Sequence, residues 1–565
     1  WGADDSYLGY IRLKPGVFPE QINQKIPALL PKYIDVERER KQGFDMELYI
    51  KPVSEIYTQS TEVKRMVVIM SVLAFALLFV AAMNYILNSV SSLPIRARSV
   101  GVHKCNGASS KDIFNMFLFE TAALFVVALV CMALLLFAFR EYVADMVAVP
   151  TLGTLLNAQT IWLPAIMILA IFILSALLPA RLFSVIPVTQ VFRVSTSGKQ
   201  GWKRSLLFIQ FGGIAFVITL LVIVLLQYDR LMNNDLGYDP ENIVYAPLNN
   251  MDDQKAAKLT AEFKKLPYVT ATGLSSMDIL SGYGGFPILD NEKNWLFTAR
   301  QVNYDADYLS LMKIPLLEGQ PLKGDGDILV NESFVSKRGW TDAAIGKYIY
   351  DDEGNLKGKI VGVTRDFMVN SFFTPQLPVI MFGSDRMSYC NFTVRVSELT
   401  PEYLREMNDK IAELFPNEDV GFTVLKTIIE SQYEGTRHFR DGVFVASIAI
   451  LLITLMGLLG YITDEMHRRS KEIAIRKVNG ATAPNILRLL SKDVLITAFP
   501  AILLGVIASR VVGESWLRQF ADKIPLTVFI FISTALLVLA IIWGCVILKS
   551  WNIANENPVR SIKNE

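Results

Sequence analysis

The sequence predicts a polytopic α-helical membrane protein with α+β structure outside the membrane and two tandem repeats. Three observations carry this. Seven apolar runs occur, at about Met66–Asn88, Met116–Ala138, Ile161–Ala180, Ser205–Gln227, Val443–Ile462, Leu489–Val512 and Leu526–Leu548. Each is near the roughly 20 residues a helix needs to cross the hydrocarbon core. A long polar stretch, 229–440, alternates strand and helix patterns. A short basic signature occurs twice: Arg96-Ala-Arg-Ser-Val-Gly-Val-His-Lys-Cys-Asn-Gly-Ala108 and Arg469-Ser-Lys-Glu-Ile-Ala-Ile-Arg-Lys-Val-Asn-Gly-Ala481.

Each apolar run is justified by length and by its flanks. Lys and Arg crowd alternate connections: Arg96, Arg98, Lys104 and Lys111, then Arg181, Arg193, Lys199, Lys203 and Arg204, then Arg468, Arg469, Lys471, Arg476, Lys477 and Arg488. Such loops stay in the cytoplasm. The connections 140–159 and 513–523 carry few cations and belong outside, with 229–440 and with 1–65. The latter segment then needs a span before it, and the chain reads as the trailing part of a longer protein.

The repeat extends beyond the signature. Residues about 8–193 follow about 390–559 in the same order: a strand-like piece, a Pro-Glu-led helix, an amphipathic helix, a span, the basic loop, two spans and a Pro-Val tail. Pro19-Glu20 falls on Pro401-Glu402, and Pro187-Val188 on Pro558-Val559. The expected organisation is therefore the end of a first external domain with its stalk (1–65), a three-span module with its loop at 91–112 (66–193), and a linker with one span (194–228). A second external domain (229–440) and a second three-span module with its loop at 463–488 (441–565) follow.

Within the external domain, Asn242–Leu248 reads as a strand, Asp252–Leu266 as a helix with Ala256, Leu259, Phe263 and Leu266 at helical spacing, and Tyr268–Leu274 as a strand. Asn391–Val396, a helix from the N-cap Thr400 to Phe415, and Val420–Leu425 form a second such unit. Between them, about 300–385 reads as a β-rich insert: Asp327–Val330, Tyr348–Tyr350, Gly358–Val363 and Val379–Phe382, with turns at 324–326 and 351–354. Gly282-Tyr-Gly-Gly-Phe286 reads as a flexible loop. Ile50–Arg65 and Lys426–Arg440 lead into spans with no helix breaker. They suit either a stalk continuing the span outward or a helix lying on the headgroups.

No catalytic set is apparent. His103, His438 and His467 have no ligand partner at metal spacing, and no H-E-x-x-H or P-loop occurs. Cys105, Cys131, Cys390 and Cys545 offer no disulfide pair by position. The clustered cations flank spans, so they set topology rather than bind nucleic acid. Glu120 and Asp493 occupy equivalent places in the two copies, about three turns after each Asn-Gly. Two readings stand: an acid favoured in the first turns of a helix, or a partner for a cation of the basic loop.

Lys471-Glu-Ile-Ala-Ile-Arg-Lys-Val-Asn-Gly-Ala481 resembles the Glu-Ile-Gly-Ile-Arg-Lys-Ala-x-Gly-Ala motif of FtsX/MacB-type ABC transporter permeases. The first copy is a degraded version, with Ser99 for Glu472 and His103 for Arg476. The external domain is similar to the MacB-type periplasmic domain. The resemblance implies a permease subunit in a bacterial inner membrane, with large domains periplasmic. It implies a separate cytoplasmic ABC ATPase in two copies that carries ATP and magnesium, with no cofactor on this chain. Mechanotransmission for efflux or extraction of antimicrobial compounds, peptides or lipoproteins would follow, with a periplasmic adaptor or outer-membrane channel as a further partner. The other function class is a receptor or scaffold that senses an external ligand or regulates cell-wall hydrolases. The expected coupling residues are Arg96, Arg98, His103, Lys104, Asn106 and Gly107 in the first copy. In the second they are Arg469, Glu472, Ile473, Arg476, Lys477, Asn479 and Gly480.

Overall fold

The computed structural model describes residues 9–41, 48–53, 61–91, 93–146, 151, 153, 157, 161–185 and 201–554, apart from 252, 281–283, 291, 293, 341, 352, 370–372, 374, 384–388 and 417. The chain divides into two compact units. One comprises 1–60, 230–434 and 519–522; the other comprises 61–229, 435–518 and 523–565.

The first unit is built on a mixed sheet of strands β1 (Ile243–Met251), β2 (Val269–Ser275), β3 (Gly284–Leu289), β4 (Trp295–Tyr304), β5 (Leu316–Gly319), β6 (Asp327–Asn331), β7 (Tyr348–Tyr350), β8 (Leu356–Thr364), β9 (Val379–Gly383), β10 (Tyr389–Val396) and β11 (Thr423–Val424). Strands β3 and β8 alternate buried and more exposed side chains over part of their length, while β6 and β9 are buried almost throughout. The order is β11-β1-β10-β2-β4-β9-β6-β8-β5, with β3 on β4 and β7 on β8. Two hydrophobic cores divide it. In the first, Val244, Leu274, Phe392 and Val394 pack on Leu259 and Phe263 of helix Asp253–Phe263 and on Met407 and Ile411 of helix Pro401–Leu414. Phe263 meets Phe392 edge-on at 5.2 Å. In the second, Phe297, Ile328, Val330, Ile360 and Ile380 enclose Phe334 of helix Glu332–Arg338.

Two of these three helices start where the sequence supplies a cap. Thr400 accepts from the Tyr403 amide at 3.2 Å, with Pro401 filling the first helical position. Asn331 accepts from the Phe334 amide at 3.0 Å, and the helix stops at Gly339, whose φ of 71° is left-handed. The two lobes join where β2 meets β4 through the single pair Ser275 and Tyr304. Asp305 clips that joint: its Oδ2 accepts from the Leu274 amide at 2.8 Å, and its own amide donates to the Leu274 carbonyl at 3.0 Å.

Several expectations change here. The β-rich lobe begins at Gly284, before the expected boundary near 300, because β3 and β4 form a hairpin that the sequence does not mark with an Asn-Gly or Asp-Gly turn. Gly284 to Phe286 therefore belong to a strand rather than a flexible loop; 281–283 lie outside the described residues. No strand is present in 9–14 among the described residues, although Pro19 does open a short helix, Pro19–Asn23. The segment leading into the fifth span is not one uninterrupted helix. Helix Leu425–Gln432 ends at Tyr433, with φ −102° and ψ 9°, and a new helix, Glu434–Arg468, begins. Tyr433 is buried with its ring 5.9 Å from Phe373, and the weak helix formers Gly435 and Thr436 follow, so packing and local propensity both bear on the break. The matching stalk, Ile50–Arg65, is described only in part.

In the second unit, seven helices are long and apolar enough to cross a membrane, among the described residues. Numbered in chain order, the spans run within helices Thr61–Ser91, Ser110–Ala138, Trp162–Val185, Gly201–Asn233, Glu434–Arg468, Ala483–Leu517 and Val528–Ala554. Helices satisfy their own backbone groups, which hydrocarbon cannot. The fourth span is the most enclosed: Phe211, Ile214, Ala215, Val217, Leu220, Ile223 and Val224 are fully buried. It approaches the sixth closely at glycine, since a Cβ on Gly505 would stand 2.2 Å from the Gly212 carbonyl oxygen. Small residues let helix backbones come together in lipid. Thr219 donates to Thr534 of the seventh span at 3.2 Å.

Burial pushes the Asp305 carboxyl up from 3.8 to about 7. The folded state therefore holds a proton that the unfolded chain releases, so this residue's stabilisation is full below pH 4 and is lost as pH rises through about 7. Thermal unfolding of the sheet unit, compared from pH 5 to pH 8, is expected to show falling stability, and Asp305→Asn should flatten that slope. An equal slope in both proteins would exclude Asp305 as the source.

Candidate functional site: two basic loops between paired spans

Each signature folds as a short helix followed by a tight reversal. The helices are Leu93–Cys105 and Ser470–Val478. Both end in the same hydrogen-bond pattern. The Ala108 amide donates to the His103 carbonyl at 3.0 Å and the Gly107 amide to Lys104 at 3.1 Å; Ala481 donates to Arg476 at 2.9 Å and Gly480 to Lys477 at 3.0 Å. This is the Schellman arrangement, which satisfies the last carbonyls of a helix and needs a left-handed residue at the turn. Gly107 and Gly480 supply it, with φ of 94° and 90°. The next span starts at once from an N-cap, Ser109 or Thr482. Ser109 forms a reciprocal capping box with Asp112, whereas Thr482 makes no side-chain cap.

The same faces turn inward in both copies. Val100, Ile113 and Phe117 are buried in the first; Ile473, Ile486 and Leu490 are buried at the equivalent positions of the second. Val100, Ile113 and Phe117 share a small core with Ala180 of the third span. Ile473, expected to meet a partner, is 4% exposed and belongs to the packing of its own chain. The outward face is partly apolar. Val102, Ile475 and Val478 are 54%, 60% and 68% exposed. Beside them His103, Asn106 and Gly107, and Glu472, Arg476, Asn479 and Gly480, are exposed, while Lys477 is half-buried. Arg476 bonds Glu472 along the helix, with its Nη2 at 2.7 Å and its Nε at 3.0 Å.

The remaining expected residues act inside the chain or lie beyond description. Lys104 donates from Nζ to the Ser184 carbonyl at 2.9 Å, placing a cation on the last turn of the third span. Arg469 pairs with Glu465 one turn earlier and with Asp493 of the sixth span at 2.5 Å. Arg204 of the fourth span reaches the same Asp493 oxygen at 3.3 Å, and Lys203 pairs with Asp464 at 2.7 Å. Asp493 is thus the meeting point of two cations from different helices. Glu120, its counterpart, has an exposed side chain. The sequence places Ser91 and Ser92 where Asp464 and Glu465 stand, so the first copy lacks two carboxylates of this cluster. Arg96 and Arg98 lie on the first loop helix, and their side chains lie outside the described residues.

Residues 71–188 and 444–558 each match the family "FtsX-like permease C-terminal". The chain carries two FtsX-like permease domains. The permease also shows similarity to solved external regions: the periplasmic region of MacB from Actinobacillus actinomycetemcomitans (13% identity, covering 36% of this chain and 97% of that one, TM-score 0.27); a domain of a putative permease protein from Porphyromonas gingivalis (14%, 34% and 98%, TM-score 0.25); and the extracellular domain of YknZ, a transporter of Gram-positive bacteria (10%, 32% and 99%, TM-score 0.24). No curated protein sequence matches the chain.

Val102, Ile475 and Val478 are not among the residues expected from sequence, yet they are the exposed apolar side chains of the loop helices in this permease. Sequence reasoning also read Lys203 and Arg204 only as topology signals, although both join the ion cluster. Among the described residues, no group of three or more His, Cys, Asp or Glu is placed to hold a metal ion.

A Cβ on Gly480 would meet nothing within 4 Å, so substitution there tests conformation alone. Gly480→Ala is expected to cost about 1–2 kcal/mol for the left-handed backbone. Opening of the turn, read by amide hydrogen exchange at Ala481, should rise roughly 5- to 30-fold. Unchanged exchange would show that the reversal does not need glycine.

Proposed function

We propose that this ABC transporter permease couples ATP hydrolysis on a separate cytoplasmic ATPase to movement of its external domains, serving efflux or extraction of antimicrobial compounds, peptides or lipoproteins. The supporting observation is the outward face of the two loop helices. The second presents exposed Ile475 and Val478 beside Glu472 and Arg476, the first presents exposed Val102 beside His103 and Asn106, and both are held by a turn that recurs bond for bond. A short amphipathic helix whose inner edge is already buried has its outer edge free for a partner, and apolar centres with charged rims suit protein docking. FtsX-like permeases work with cytoplasmic ABC ATPases, and the cationic loops suit the cytoplasmic side.

In this reading the contact residues are Val102 and His103 in the first copy and Glu472, Ile475, Arg476, Lys477 and Val478 in the second. Arg469, Ile473 and Lys104 hold the loop helices in place. Asp493 ties the second loop helix to the fourth and sixth spans, so displacement of that helix is felt by both. ATP and magnesium sit on the ATPase, one copy per loop. The membrane is the bacterial inner membrane, with the sheet unit on the outer side, where an adaptor or outer-membrane channel can reach it.

Ile475→Asp with Val478→Asp, and separately Arg476→Glu with Lys477→Glu, should reduce recovery of the ATPase with the detergent-solubilised permease at least tenfold, without loss of permease from the membrane. Ile473→Asp should instead lower the amount of folded permease. Full ATPase recovery with both outward-face variants would remove the docking role and favour a receptor that works without transport.

A further inference from the structure

The repeat register that sets Lys104 on Lys477 also sets Asn84 on Gly457. These two residues, from the first and fifth spans, touch. Asn84 is 7% exposed, and its Nδ2 donates to the Ile453 carbonyl at 2.8 Å. A Cβ on Gly457 would stand 2.8 Å from Asn84 Oδ1 and 3.2 Å from Oε1 of Gln210 on the fourth span. Farther along the same two helices, a Cβ on Gly442 would stand 2.7 Å from Met70 Cε, and the register partner of Gly442 is the neighbouring Ile69. Equivalent residues therefore meet at one point, and about four turns away the contact falls one residue from equivalence. Equivalent positions can touch only near the axis that relates the two copies, as in an isologous dimer.

The identities at this contact are complementary rather than alike. Gly457 leaves the space that the Asn84 amide fills, and Asn84 bonds the fifth span's backbone. Two first repeats would set asparagine against asparagine, and two second repeats glycine against glycine. Gln210 lines the same place, fully buried, and neither its Nε2 nor its Oε1 has a hydrogen-bond partner among the described residues. Buried polar side chains in hydrocarbon are costly and select one arrangement.

We propose that the first and fifth spans form a pseudo-two-fold axis inside one chain, and that the Asn84 and Gly457 pair makes the two halves each other's partner and excludes a second copy of the chain from that face. The inference stands on the repeat register and this contact, whether or not the loops dock an ATPase.

The test is a disulfide. Asn84→Cys with Gly457→Cys is made in the full chain after Cys105, Cys131, Cys390 and Cys545 are changed to serine, with a protease site in the exposed turn at Glu353–Asn355. After mild oxidation in membranes and proteolysis, the two fragments should run together without reductant and apart with it. A cross-linked species of two chains, or fragments that separate without reductant, would overturn the proposal. Should the cysteine pair fail to accumulate, Gly457→Ala is compared with Gly457→Ala plus Asn84→Ala. Rescue of folded protein by the second change is expected, because it removes the oxygen that the new methyl meets. Equal yields of folded protein from the two would overturn the contact.

Discussion

The reversal after each loop helix constrains everything around it. A helix of this length has unsatisfied carbonyls at its end, and the chain must enter the next span within a few residues. The Schellman turn at Gly107 and Gly480 meets both demands, and it fixes the rotation of the loop helix about its axis. Once that rotation is set, Val100 and Ile473 must face inward, and Val102, Ile475 and Val478 must face away. The exposed apolar face is a consequence of the turn.

Around this shared geometry the two copies are held differently. The first loop helix is secured by Lys104 on the end of the third span and by the strongly capped start at Ser109. The second is secured by charge: Arg469, Arg204, Glu465 and Asp493 converge from the fifth, fourth and sixth spans and the loop itself. The side chains of Arg469 and Glu465 are 17% and 7% exposed, so removing one leaves the other as a charge that water solvates poorly. Ion pairs thus connect the second loop to three spans, while among the described residues the Lys104 bond of the first lies within its own module.

Much of this was legible in sequence. Apolar run length gave the spans, and the repeated Asn-Gly gave the turn, because only glycine enters the left-handed region freely. The βα units at Ile243–Ser275 and Tyr389–Val424 were readable from periodicity and from Thr400. What was not legible depends on tertiary contact. The hairpin from Gly284 to Tyr304 turns on Asp290 and Asn294 without an Asn-Gly or Asp-Gly pair to mark it, and the break at Tyr433 coincides with burial of its ring near Phe373. The inward burial of Ile473 and the outward exposure of Ile475 are two residues apart, a distinction that helix rotation decides and composition does not. Asp493 was readable as a possible partner for a loop cation, but Arg204 as its second partner was not, since 289 residues separate them in the chain.

The central claim is that the outward face of the loop helix meets a cytoplasmic ATPase. A photoreactive phenylalanine analogue placed at Val478, at Ile475 and, as the inward control, at Ile473 reads that contact directly. The account predicts an adduct with the ATPase from Val478 and Ile475 and none from Ile473. Adducts from Ile473, or from none of the three in membranes where the ATPase is present, would contradict it.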